Sequence, residues 1–155
     1  MSAEDMAAMK FLQEFTAGGG LAYNQYQSAQ PQTLAYALQD SPAGWLAWVC
    51  QLFQRWVDRD HVLTHAAAYW LTNTVGSSIR RYYADAQAEA PTEPTTAPTG
   101  VAIFAEDSQS VRRFADRDHA NIVSWNRYDR GSHFSPHDAP DLLLDDIRTF
   151  FRSLR

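Results

Sequence analysis

The sequence predicts an α/β protein in which a helical region precedes two strand–helix units. Three observations predict it. Apolar residues before residue 88 recur at helical spacing. Two short β-branched and aromatic runs appear only after the Pro-rich segment 88–99. Each run is followed by a helix signal, and strand–helix–strand–helix is the order of a parallel sheet. Two parallel strands cannot make a stable sheet with covered faces, so these units look like the tail of a larger sheet.

Residues 2–16 predict a first helix, with Ala8, Phe11, Leu12 and Phe15 on one side and Gly18, Gly19 and Gly20 ending it. Residues 21–31 read as loop, then a short helix runs from Gln32 to Leu38. Ser41 and Pro42 open the strongest helix. Trp45, Trp48, Val49, Leu52, Phe53, Trp56 and Val57 form its apolar stripe, opposite Gln51, Gln54, Arg55 and Asp58. Two further helices are expected over 61–73 and 77–87. The polar AEAPTEPTTAPT stretch is a surface connection. The expected division is therefore a helical region 1–88, a linker 89–99 and a strand–helix part 100–155.

GVAIF (100–104) has the compact apolar character of a buried strand, residues 108–116 a short helix, and 121–125 a second strand. Gly131 and Ser132 break that run just before His133. Asp138 is placed to cap a last helix with Pro140 at its first position. Leu143, Ile147, Phe150, Phe151 and Leu154 form its apolar face. Asp141 lies early in it and Arg152 late, which suits the helix dipole.

At 155 residues and 45% hydrophobic the chain holds enough apolar surface for one real core. A net charge of −5 and the absence of a basic stripe argue against nucleic acid as a partner. Cys50 is the only cysteine, which excludes an internal disulfide and fits a reducing, cytoplasmic setting. The first residues lack a secretory pattern, and no run reaches the ~20 apolar residues of a membrane span. No cofactor or metal is expected.

Asp107 and His133 each lie just past the end of a predicted parallel strand, where functional groups gather. A carboxylate there can fix one imidazole nitrogen and leave the other as a general base. Spacing alone weighs such a pair and the plainer reading, a surface-loop Asp and a surface-loop His, equally. No G-x-S-x-G elbow exists, and Gly76-Ser77-Ser78 reads as a helix N-cap. Cys50 reads as a buried small hydrophobe. His61 and His65 share a helix face without a third ligand and read as a solvated face. His119 and His137 read as surface loop residues. Tyr23, Tyr26, Tyr82 and Tyr83 fall in the helical half. A phenol suits donation to an oxygen becoming an alkoxide, while core packing is the plainer reading for Tyr26 and Tyr83.

The segments YNQYQSAQPQTLAYALQDSPAG (23–44), AYWLTNTVGSSIRRYY (68–83), PTGVAIFAED (98–107), RGSHF (130–134) and DLLLDDIRTFFRSLR (141–155) occur in that order. Together they resemble the C-terminal half of a microsomal-type epoxide hydrolase, an α/β-hydrolase-fold enzyme. The resemblance covers nearly everything after residue 20, and the DSPAG and YWLTNTVGSS blocks are its most specific parts. It implies a helical lid followed by the last two strand–helix units of the sheet.

It also implies roles. His133 corresponds to the water-activating base and Asp107 to its carboxylate partner, which is Glu in many relatives. Tyr23 and Tyr82 correspond to the two lid tyrosines, with Tyr83 the fallback for the second. Ser132 stands where relatives commonly carry Gly. The family's nucleophilic aspartate and HGxP loop precede all these segments, yet residues 1–155 hold no HG dipeptide and no Gly-Gly-Asp-Trp-like elbow. The expectation is a small apolar epoxide as substrate and a vicinal diol as product. It includes negligible turnover by this chain alone, and an N-terminal half in trans or a homo-oligomer as partner. The alternative is a non-catalytic helical interaction module. A dehalogenase-like hydrolase fits less well, because halide release is better served by indole donors than by phenols.

Overall fold

The computed structural model describes residues 2–53 and 57–155. In chain order the elements are α1 (Ala3–Ala17), α2 (Ala22–Ala29), α3 (Pro31–Asp40), α4 (Pro42–Phe53), α5 (Arg59–Leu71) and α6 (Val75–Gln87). There follow β1 (Thr99–Ile103), α7 (Arg112–Asp118), β2 (Ile122–Arg127), α8 (Ser135–Asp138) and α9 (Pro140–Ser153). They form two compact units, Gly19–Ala90 and Met1–Gly18 with Pro91–Arg155.

The helical unit is built on α3 packed against α6, with α2 also on α6 and α4 against α5. Leu34, Ala35, Leu38, Val75 and Ile79 are buried, as are Trp45, Val49, Phe53, Val62 and Ala66. Pro31 starts α3 at a position where its missing N–H costs nothing. Ser41 Oγ accepts from the Gly44 N–H at 3.0 Å, as expected of the residue opening α4. The predicted α4 stripe is buried at Trp45, Val49 and Phe53; Trp56, with Gln54 and Arg55, lies outside the described residues. Residues 22–29, expected as loop, form α2. No side chain caps it at Leu21, so its packing on α6 supplies what its sequence does not advertise.

In the second unit β1 and β2 are parallel neighbours, Gly100 opposite Ser124 and Ile103 opposite Arg127, with an irregularity between Thr99 and Gly100. A Cβ on Gly100 would come within 2.7 Å of Phe150, so the bare backbone there lets α9 lie on the sheet. Helix α1 belongs to this unit rather than to the helical region expected over 1–88. Its Asp5 and Ala8 are buried, and Glu4 lies 3.8 Å from the Arg127 guanidinium at the end of β2. The expected 89–99 linker is partly ordered: Thr99 begins β1, and Thr95 bridges to His119.

Three other expectations fail for local reasons. The helix predicted over 108–116 starts only at Arg112, because residues 104–109 turn to form a loop. Asp138 does not cap α9; its Oδ1 accepts from the Ser132 N–H at 3.2 Å, and Ala139 stands at the cap. On α9, Ile147, Phe151 and Leu154 are exposed, while Leu142, Leu143, Asp146 and Phe150 are half-buried. No helix among the described residues is long and apolar enough to cross a membrane.

Candidate active site

The carboxyl ends of β1 and β2 carry the site in the strand unit. After Ile103 the chain turns back, with the Asp107 N–H donating to the Phe104 carbonyl at 3.2 Å. After Arg127 the Tyr128 N–H donates to the Ile103 carbonyl at 2.9 Å, which holds the second loop beside the first. The Glu106 N–H donates to the Gly131 carbonyl at 2.9 Å and ties the two loops directly. Gly131 has φ +93°, a conformation glycine adopts without strain, and its Cα sits against Phe104 and Ala139.

Ser132 is buried, and both its ends are held. Its N–H donates to Asp138, and its Oγ accepts from the Phe134 N–H at 3.1 Å. His133 therefore leaves a fixed backbone. Its Nδ1 lies 3.1 Å from Asp107 Oδ1, which also accepts from the Ser108 N–H at 2.7 Å. A carboxylate can only accept, so the bond requires a hydrogen on Nδ1; in the neutral imidazole Nε2 then holds the lone pair. The His133 side chain is 66% exposed and that of Asp107 29%. So exposed a pair adds little stability; it leaves an oriented imidazole that solvent reaches.

Beneath the loops Tyr128 stacks on Phe104 with ring centres 5.1 Å apart, and its hydroxyl donates to Asp146 on α9 at 2.6 Å. Asn126 donates to the same carboxylate. Burial first, then the bond to Asp146, pushes the Tyr128 phenol from 10.0 up to about 12. Folding thus favours the protonated phenol. Its contribution is complete below about pH 10 and is lost as pH rises towards about 12. Thermal melts across that window should show a steeper alkaline fall for the native chain than for Tyr128→Phe.

In the helical unit Tyr23 on α2 and Tyr82 on α6 meet edge to face, with ring centres 6.1 Å apart and planes at 81°. Ser28 Oγ lies 3.4 Å from the Tyr82 carbonyl, a weak tie between the two helices. Burial, then the neighbouring Tyr82, raises the Tyr23 phenol above its ordinary value, so it remains a donor at neutral pH. Tyr82, not Tyr83, is the partner of Tyr23. Tyr26 and Tyr83 are 49% and 45% exposed, which corrects their reading as core residues.

The other candidates sort by their surroundings. His65 is not on a solvated face: its ring stacks on Tyr69 at 4.6 Å and meets Phe53 edge-on, and burial followed by the nearby His61 lowers its pKa. Ser77 and Ser78 do not cap α6; their hydroxyls donate back to the carbonyls of Thr74 and Val75. Cys50 is half-buried rather than buried, beside Leu46 and Val62. His119 is half-buried, with Nδ1 2.7 Å from Thr95 Oγ1, and His137 is exposed on α8. No group of three or more potential metal ligands exists among the described residues. Gln109, Tyr128 and Asp146 escaped the sequence reading, because nothing in their local pattern distinguishes them from other polar loop and helix residues.

A helical unit, then an acid after one parallel strand and a histidine loop after the next, forms the C-terminal portion of an α/β-hydrolase fold. The solved epoxide hydrolase of Aspergillus niger superposes on 100% of this chain and 41% of its own, with a TM-score of 0.86 and 24% identity. The chain is homologous to epoxide hydrolases. It is 34% identical, over its whole length, to a Stigmatella aurantiaca protein assigned as an epoxide hydrolase, and 29% identical over 150 residues to epoxide hydrolase 1 of Sus scrofa. It spans 38% of the first relative's length and 33% of the second's. No protein-family model matches it.

Proposed function

We propose that residues 1–155 supply the water-activating and oxygen-protonating groups of an epoxide hydrolase. The ester-forming aspartate and oxyanion donors then lie outside these residues. The observation that carries this reading is the 3.1 Å contact of His133 Nδ1 with Asp107, on adjacent loops. The homology to epoxide hydrolases supports it.

In the first step a carboxylate oxygen attacks an oxirane carbon, forming an ester bond as the ring C–O bond breaks. The released oxygen takes a proton from Tyr23 or Tyr82, and the phenolate is reprotonated from solvent. In the second step His133 Nε2 removes a proton from water, and the hydroxide attacks the ester carbonyl. Collapse expels the diol oxygen, which takes the proton back from the imidazolium, and the freed carboxylic acid loses its proton to solvent to regenerate the carboxylate. Asp107 holds the imidazole in the required tautomer and stabilises the imidazolium that forms. The substrate class is a small apolar epoxide.

The test joins this chain to the preceding portion of the Stigmatella relative and assays diol formation from styrene oxide. The joined protein should turn over while residues 1–155 alone do not. A joined, folded protein without activity overturns the reading, as does turnover by the short chain that His133→Ala abolishes.

A second reading, pairing of two copies without catalysis, draws on the open edges of the β1–β2 sheet and on exposed Val123, Leu144 and Phe151. Light scattering decides it: a monomer across the micromolar range removes it.

A further inference from the structure

We propose that Gln109 is a positioning residue for the His133–Asp107 pair, an inference that rests on the reading of that pair given above. The loop from Phe104 to Gln109 carries the acid and has no regular secondary structure to hold it. Gln109 closes it. Its Nε2 donates to the Phe104 carbonyl and to the Asp107 carbonyl, each at 2.9 Å. Its Oε1 accepts from Arg127 Nη1 at 3.1 Å. The same guanidinium reaches the Ser110 carbonyl through Nη2 at 3.3 Å and lies 3.8 Å from Glu4.

Both donors of the carboxamide and one lone pair of its oxygen are thus used, and its orientation follows from its partners. Turned over, it would set its oxygen against two carbonyls and its nitrogen against a guanidinium. The side chain fixes the backbone of Asp107 itself. It also fastens that loop to Arg127, the last residue of β2, and His133 follows six residues later. Acid and base are therefore referenced to one another through Gln109 and Arg127 as well as through the Glu106–Gly131 bond. No residue of similar length replaces it. Glu has no donor for the carbonyls, and Leu has neither donor nor acceptor.

The experiment reads the tautomer of His133 in the 155-residue chain by long-range proton–nitrogen correlation, at alkaline pH where an imidazole is neutral. The other four histidines report on the fold. In the native chain the Nδ1–H form should dominate, because the bond to Asp107 selects it. Asp107→Ala should abolish that preference. Gln109→Leu should move the ratio by about half of the Asp107→Ala change or more, with the other histidines unaltered. Gln109→Glu, which keeps a partner for Arg127 and loses both donors, should do the same. If both Gln109 variants keep the native ratio while Asp107→Ala loses it, Gln109 does not position the pair. If Asp107→Ala also keeps the native ratio, the pairing itself fails, and the proposed role of His133 with it. A lowered melting midpoint with an unchanged ratio marks Gln109 as merely structural and overturns the proposal.

Discussion

His133→Ala in the joined protein should leave ring opening intact and stop turnover at the ester. In the proposed reaction the phenols and the attacking carboxylate act before the imidazole does, so one equivalent of substrate should still be consumed. On that proposal the group lost is the one that takes a proton from water. Steady-state turnover should fall about 10²–10⁴-fold, the usual worth of a positioned general base. Intact-protein mass measurement should show one substrate mass added covalently, persisting where the native enzyme shows none. Asp107→Ala should fall in the same direction by less, because Nε2 survives but its tautomer is no longer selected. The role assigned to His133 is wrong if its removal slows ring opening and leaves no adduct.

Gly131→Ala should be the most damaging single-methyl change in the strand unit. The residue sits at φ +93°, where a side chain costs about 1–3 kcal/mol in backbone strain alone. A Cβ there would also fall 2.5 Å from the Phe104 ring and 2.9 Å from the Ala139 Cβ. Both neighbours are buried, at 4% and 0% exposure, so neither can retreat into solvent. Strain and overpacking together predict a loss of about 2–4 kcal/mol, measurable by denaturant unfolding. The shift would bear on Phe104 and on the Glu106–Gly131 bond, so what fold survives should also show a loosened His133. A loss below about 1 kcal/mol would mean that the loop relaxes around the methyl group.

The sequence made the ends of the two strands legible, and with them Asp107 and His133. Short apolar runs that give way to polar residues, Glu106 and Asp107 after the first and Asp129 to His133 after the second, are local signals. Tyr23 and Tyr82 needed the resemblance, since phenols in a helical region look alike until their neighbours are known; only packing separates Tyr82 from exposed Tyr83. Helix α2 was not legible, because Leu21 gives no cap and its stability comes from α6. The rotation of α9 was not legible either. Counting apolar residues favours Phe151 and Leu154, but the gap over Gly100 accepts Phe150 and turns Asp146 inward to Tyr128 and Asn126. A carboxylate on the inner side of an amphipathic helix has no apolar signature. His65 was misjudged for the converse reason: an imidazole spaced one helical turn from another suggests solvent or metal, and only the fold supplies its aromatic neighbours.

The break in strand register between Thr99 and Gly100 lies at the end of β1 farthest from Asp107. Length changes arriving from the Pro- and Thr-rich segment can be taken up there, before the ladder becomes regular at Gly100. Beyond Ile103 no such slack exists, because successive backbone and carboxamide bonds count residues from Phe104 to Gln109 one by one. Insertions and deletions should therefore accumulate upstream of the strand during evolution, and the spacing between its last residue and the acid should stay constant.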